Sequence, residues 1–117
     1  MRNLILAASL LLTLPLAGCT DKAPAELADC PTDSSVTFAT ASVVFDAHCT
    51  RCHASTVTGT ARESAPDNWD YDTAAAAVRD PDESWRRIYT GNMPPDGEMD
   101  EAEKLVIWEW CSCDGPE

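Results

Sequence analysis

Cys49-Thr50-Arg51-Cys52-His53 places two thiols three residues apart, with a histidine directly behind them. Residues three apart on a helical turn share a face, so both sulfurs can reach one edge of a common ligand. C-x-x-C-H is the attachment signature of c-type haem. Each thiol adds across a vinyl group to form a thioether, and His53 is then delivered to the iron as the proximal ligand. Two other chemistries use a Cys-x-x-Cys pair. A zinc half-site wants a second Cys/His pair at fixed spacing, and a redox dithiol wants a βαβ surround. The rest of the chain favours haem.

The second axial ligand is sought downstream, in Thr90-Gly91-Asn92-Met93-Pro94-Pro95. Met93 lies in a Gly/Pro-rich stretch that breaks a helix. A thioether is a soft, neutral ligand that holds iron weakly and needs a rigid loop. Pro94 and Pro95 fix their own φ angles and restrict the residues before them, which stiffens it. Competing ligands are few. Met1 goes with the leader, Met99 sits just before a helix cap, and His48 abuts Cys49 on the attachment side of the ring.

On these motifs the chain resembles the class I monohaem cytochrome c family over roughly residues 37–113. The resemblance implies an all-α domain of about four helices wrapped around one covalent haem c. A helix precedes the attachment motif and a final helix crosses it. An aromatic residue commonly stands four positions before the first haem cysteine, here Phe45, with a small residue one turn earlier, here Ala41. The final helix commonly carries Leu-x-x-aromatic at the crossing, here Leu105 and Trp108. The family's proximal histidine hydrogen-bonds a proline carbonyl about a dozen residues on, and Pro66 is the nearest candidate.

The amino terminus indicates where this chemistry takes place. Met1-Arg2-Asn3 is a short positive start, and Leu4 to Leu16 is apolar but interrupted by Pro15. That pattern is a secretory signal peptide, too short to span a bilayer comfortably. Leu16-Ala17-Gly18-Cys19 resembles the lipobox of bacterial lipoproteins, which implies cleavage after residue 18 and acylation of Cys19. Ordinary signal cleavage nearby, with Cys19 an incidental thiol, is the alternative. Acyl chains would tether the domain to the periplasmic side of a membrane rather than span it. Residues 19–36, rich in Pro, Ala, Asp and Ser/Thr, read as a flexible tether. The haem domain is then 37–117, roughly 80 residues, small enough that a bound porphyrin supplies much of its apolar volume.

The net charge is −12, and a leader whose sole charged side chain is Arg2 takes the mature chain to −13. That excludes a nucleic-acid binder. It suits docking on a basic face of a redox partner, or simply a solvated acidic surface.

Coarse patterning places the motifs. Thr40 or Ser42 caps a first helix running into Cys49 and Cys52, and Thr73–Arg79 is a short Ala-rich helix. Asp80-Pro81-Asp82-Glu83 resembles a capping box with proline at the first helical position. Asp100-Glu101-Ala102-Glu103 is a second, opening a helix through Trp110. Trp69, Trp85, Trp108 and Trp110 read first as core packing. Trp69, Trp85, Tyr71 or Tyr89 could bond a haem propionate, with Arg51, Arg86 or Arg87 offsetting its charge.

Three cysteines remain in an oxidising compartment. Cys111 and Cys113 point about 200° apart on a helix, so only one can face the amino-terminal segment. Cys113 falls on the Ala102/Leu105/Val106 side, which favours Cys30–Cys113 over Cys30–Cys111. Closing so long a loop is worth roughly 4 to 5 kcal/mol on chain-entropy grounds.

The expectation is therefore a lipid-anchored periplasmic electron carrier rather than an enzyme. A haem-based gas or redox sensor is the alternative, and an open-site peroxidase-like enzyme is further off, because both histidines belong to the attachment segment. Replacing Cys19 with Ser is expected to leave haem loading intact and to move the protein from the membrane fraction to the soluble periplasm. Retention on membranes at high salt would exclude the acyl anchor.

Overall fold

Ala41, Val44 and Phe45 recur at one-turn spacing, and the chain forms a helix that buries this stripe, α1, Phe38–His48. The computed structural model describes residues 22–97 and 99–117. The leader and Cys19 lie outside the described residues. Three further helices follow: α2, Ala74–Ala77; α3, Pro81–Tyr89; and α4, Glu101–Ser112. A 3-10 turn, Gly59–Arg62, interrupts the long connection between α1 and α2. Among the described residues there is no strand, so the domain is all-α.

Helix starts follow local chemistry, with two corrections. Asp100 and Glu103 form a reciprocal box: the Asp100 carboxylate accepts from the Glu103 amide at 2.8 Å, and the Glu103 carboxylate accepts from the Asp100 amide at 3.1 Å. At α3, Asp80 caps the Glu83 amide at 2.9 Å with Pro81 in the first turn. Glu83 does not reach back, because its carboxylate is engaged by Arg86 and Arg87 at 2.7 Å. That leaves half a box. α1 starts ahead of Thr40 and Ser42, after Thr37, with no side-chain cap. Its first amide, on Phe38, donates instead to the Pro116 carbonyl at 2.8 Å. A distant chain end thus takes over the capping that short-range pattern assigned to a hydroxyl.

α4 is the central helix and packs against both α1 and α3. Its inner face is Ile107, Trp110 and Cys111, spaced i, i+3, i+4 as an amphipathic helix requires. Trp110 is fully buried and meets Phe45 edge-on, 5.4 Å between centroids at 83°. Phe45 also stacks on Tyr71 at 4.9 Å. The crossing therefore uses Ile107 and Trp110 rather than Leu105 and Trp108. Two positions along a helix is a rotation of about 200°. Leu105 and Trp108 are half-buried, and Trp108 is tied to an amino-terminal segment through the Glu26 carbonyl.

That segment corrects the flexible-tether expectation from residue 22 onward. Ala23 is buried, and Leu27 and Val36 pack on the core. The indole N–H of Trp85 donates to the Pro24 carbonyl at 3.1 Å, and that of Trp108 to the Glu26 carbonyl at 2.9 Å. The Ala23 amide donates to Glu101 at 3.2 Å. Composition made the stretch look like a linker, but its backbone carbonyls serve as acceptors for tryptophans far downstream.

The two ends are also covalently joined. Cys30 is disulfide-bonded to Cys113, with Cα atoms 4.5 Å apart. Cys111 faces the core, where burial pushes its thiol up to about 12. The tail then turns back at Gly115, whose φ is +62° and whose amide donates to the Trp110 carbonyl at 2.9 Å. A Cβ there would lie 2.7 Å from Val78 Cγ2 and 2.8 Å from Trp110 Cζ2, so this turn needs glycine on two counts. Among the described residues no helix is long and apolar enough to cross a membrane.

Trp110→Ala is expected to cost about 3 to 5 kcal/mol of stability, the range for emptying a packed aromatic site. Val43→Ala, on the exposed face of α1, should change it by less than about 0.5 kcal/mol. Denaturant unfolding of both variants checks the contrast.

Candidate functional site

Cys49 to His53 leaves the end of α1 as a single further turn. The Cys49 amide donates to the Phe45 carbonyl at 2.7 Å, and the Cys52 and His53 amides donate to the Cys49 carbonyl at 3.1 and 2.9 Å. Cys49, Cys52 and His53 are thereby presented to the same side. All three line a cavity of about 420 Å³, within the range of small-molecule and cofactor sites. Met93, Pro94 and Pro95 line it as well. Trp69, Tyr71 and Ile88 add apolar wall. The structure thus brings Met93 to one cavity with the motif that its position in the chain keeps far from it.

His53 is oriented by a backbone acceptor. Its Nδ1 donates to the Trp69 carbonyl at 2.7 Å. A carbonyl only accepts, so Nδ1 carries the proton in this contact. This is the second-shell device by which ligating histidines are held in one tautomer. The Tyr71 amide returns a bond to the His53 carbonyl at 2.9 Å, and the Tyr71 ring meets the imidazole edge-on at 5.5 Å. The acceptor is Trp69 rather than Pro66, whose carbonyl is taken by Arg62 at 2.7 Å.

Met93 is held by its backbone. Gly91 takes a φ of +74°, which turns the chain after α3, and the Asn92 and Met93 amides both donate to the Arg87 carbonyl at 2.9 and 3.0 Å. Met99 lies elsewhere, buried in the hydrophobic core. His48 Nε2 stands 3.1 Å from a Glu103 carboxylate oxygen.

The polar groups proposed for propionates are mostly committed within the protein. The Trp69 indole N–H donates to the Tyr71 hydroxyl at 2.9 Å, and that hydroxyl pairs with Ser84 at 2.8 Å. Burial is the main cause that raises the Tyr71 pKa, so the phenol stays neutral. Trp85 serves Pro24. Arg86 is bound to Glu83, as is Arg87, but Arg87 also lines the cavity. Arg51, 3.8 Å from Glu63, lines it too. Asp72 closes the loop after the motif by accepting from the Ser55 hydroxyl at 2.6 Å and amide at 3.0 Å, contacts that lower its pKa.

One residue was not singled out by pattern. Arg62 is buried, 5% exposed, and its guanidinium donates to the carbonyls of Ala54, Val57, Ala65 and Pro66 as well as to Asp70. Nothing local marks it, since a single arginine in a Ser/Thr/Gly-rich loop reads as solvated.

Burial pushes the Cys49 thiol up to about 12, which disfavours a reactive thiolate at this position. Among the described residues no three His, Cys, Asp or Glu side chains are grouped to hold a metal ion. No protein-family model, curated protein or solved structure matches the chain.

Tyr71→Phe removes the hydroxyl that both Trp69 and Ser84 use. The loss should cost about 1 to 3 kcal/mol, the penalty for stranding buried polar groups. Chemical denaturation of the variant beside wild type checks it.

Proposed function

We propose that this protein is a single-electron carrier of the class I cytochrome c type, exported and tethered to the periplasmic side of a bacterial membrane through Cys19. The observation that carries the reading is the shared cavity of Cys49, Cys52, His53 and Met93. Cys49 and Cys52 would hold one haem c through thioethers, and His53 Nε2 and Met93 Sδ would ligate its iron. When bound, haem supplies a reversible one-electron couple between ferrous and ferric iron.

The chain's own part is to hold that couple in a fixed environment. The Trp69 carbonyl keeps His53 in one tautomer. The paired amides on the Arg87 carbonyl limit the travel of the Met93 loop. Trp69, Tyr71 and Ile88 give the cavity an apolar wall. Arg51 and Arg87 line the cavity and would offset the charge of porphyrin carboxylates. Iron ligands held in a fixed frame would reorganise little, which suits outer-sphere electron transfer to a redox protein with a basic docking face.

The sensor reading needs a ligand that leaves, and Met93 is the one that would do so. A peroxidase-like site needs a distal acid/base. The chain has two histidines, of which His53 is the proximal candidate and His48 faces Glu103. The carrier reading is therefore the better supported of the three.

In the purified protein, colour should survive acid-acetone extraction, and the reduced pyridine haemochrome should be that of a two-thioether haem. The ferric protein should show the weak near-infrared sulfur-to-iron charge-transfer band. Met93→Ala should abolish the band, admit carbon monoxide rapidly and lower the potential, because a neutral soft ligand favours ferrous iron. Met99→Ala should keep the band while losing stability, as expected for a buried core methionine. Free haem on extraction would defeat the proposal. A wild-type ferrous protein that is high-spin and binds carbon monoxide at once would leave the haem and remove the carrier.

A further inference from the structure

Arg62 is the most deeply buried cation near the candidate site, and its surroundings exceed what holding a loop together requires. It lines the cavity. Its Nη2 lies 2.7 Å from the Pro66 carbonyl, 2.9 Å from Asp70 Oδ1 and 3.5 Å from the Trp69 carbonyl. That last oxygen is the one that accepts from His53 Nδ1 at 2.7 Å. The third contact is long for a hydrogen bond, but Coulomb attraction falls only with the inverse of distance and is weakly screened at a buried site. A positive charge beside the Trp69 oxygen draws electron density from it and makes it a poorer acceptor. The His53 N–H proton is then held more firmly by the imidazole, and Nε2 becomes a weaker electron donor.

We infer that Arg62 is a positioning residue for the proximal ligand: through the Trp69 carbonyl it limits the basicity of His53, and Asp70 sets how much of its charge is felt there. The inference rests on the haem reading above. Its sign follows directly. A less basic proximal imidazole stabilises ferric iron less, so Arg62 raises the potential, and Asp70, by neutralising it, opposes that effect. A carboxylate 2.9 Å from the guanidinium and 11% exposed is placed to do so. The other contacts, to Ala54 directly after His53 and to Ala65 and Pro66 ahead of Trp69, fix the two ends of the loop so that the shared oxygen stays in place.

The test is made on the full chain loaded with haem, first wild type and then Arg62→Gln, Arg62→Lys and Asp70→Asn. Covalent loading is checked by pyridine haemochrome before any other measurement. Two quantities are read: the midpoint potential, and the iron–histidine stretching frequency of the ferrous protein in a Met93→Ala background. Arg62→Gln should lower the potential and raise the stretching frequency. Asp70→Asn should do the reverse. Arg62→Lys keeps the charge and loses the fork, so it should be less stable yet nearer to wild type in both quantities than Arg62→Gln. An unmoved stretching frequency in loaded Arg62→Gln overturns the inference, because a charge acting directly on the haem would move the potential alone. Equal shifts in the Gln and Lys variants also overturn it, since loosening of the loop would then be the cause. If Arg62→Gln does not fold, Asp70→Asn decides: a higher potential with a lower frequency supports the coupling, and any other pair of signs overturns it. Wild-type protein without covalent haem removes the parent reading and this one with it, an outcome distinguished at the haemochrome step.

Discussion

The edge-on contact of Phe45 with Trp110 is the interaction on which the remaining geometry rests. Both rings are buried to within 1% of full exclusion from solvent, and each comes from a different end of the domain. Phe45 lies one turn before Cys49, so the crossing of α1 over α4 decides where the attachment motif leaves the helix. The same tryptophan donates to the Pro116 carbonyl at 2.9 Å, and Pro116 in turn caps the start of α1. Helix start, helix crossing and chain end are thereby held by one aromatic side chain. Aromatic pairs of this kind add about 0.5 to 1.5 kcal/mol beyond the area they bury.

The tryptophans divide their work by what their indole N–H reaches. Trp85 and Trp108 reach the carbonyls of Pro24 and Glu26, Trp110 reaches Pro116, and Trp69 reaches the Tyr71 hydroxyl. Three of them fasten chain ends and one braces the cavity wall. Each buries a large apolar body and satisfies its single donor. A domain with a small core gains order this way, aided by a disulfide that joins the same two ends.

The cavity lies between the end of α1, helix α3 and two irregular segments, and irregular backbone near a ligand must have its carbonyls satisfied. Around His53 this is done by one cation. The connection from Ala54 to Asp70 includes three non-glycine residues in the left-handed region, Glu63, Ser64 and Asn68. Arg62 gathers its carbonyls from the inside. In the electron-carrier reading, rigidity of this loop matters as much as the identity of the ligands. The orientation of His53 is set by the Trp69 carbonyl, which belongs to the loop rather than to any helix.

Several features were legible in the chain before folding. The clustering of Cys49, Cys52 and His53, both aspartate caps and the choice of Cys113 over Cys111 as the partner of Cys30 depend on spacing within a turn or two, or on helical phase. Local geometry carries such information without tertiary help. The helices of α3 and α4 begin where their caps stand for the same reason. What the tertiary structure decided is which partner wins when several are chemically equivalent. Leu105 with Trp108 and Ile107 with Trp110 have the same spacing, and only packing on both sides of α4 sets Trp110 against Phe45 and Trp108 against the Glu26 carbonyl. Pro66 and Trp69 offer the same carbonyl oxygen, and Arg62 occupies one of them. Residues 22–36 have the composition of a linker, yet they are ordered by donors more than fifty positions away in the chain. In each case the deciding energy comes from a contact between segments distant in sequence, which a one-dimensional pattern does not contain.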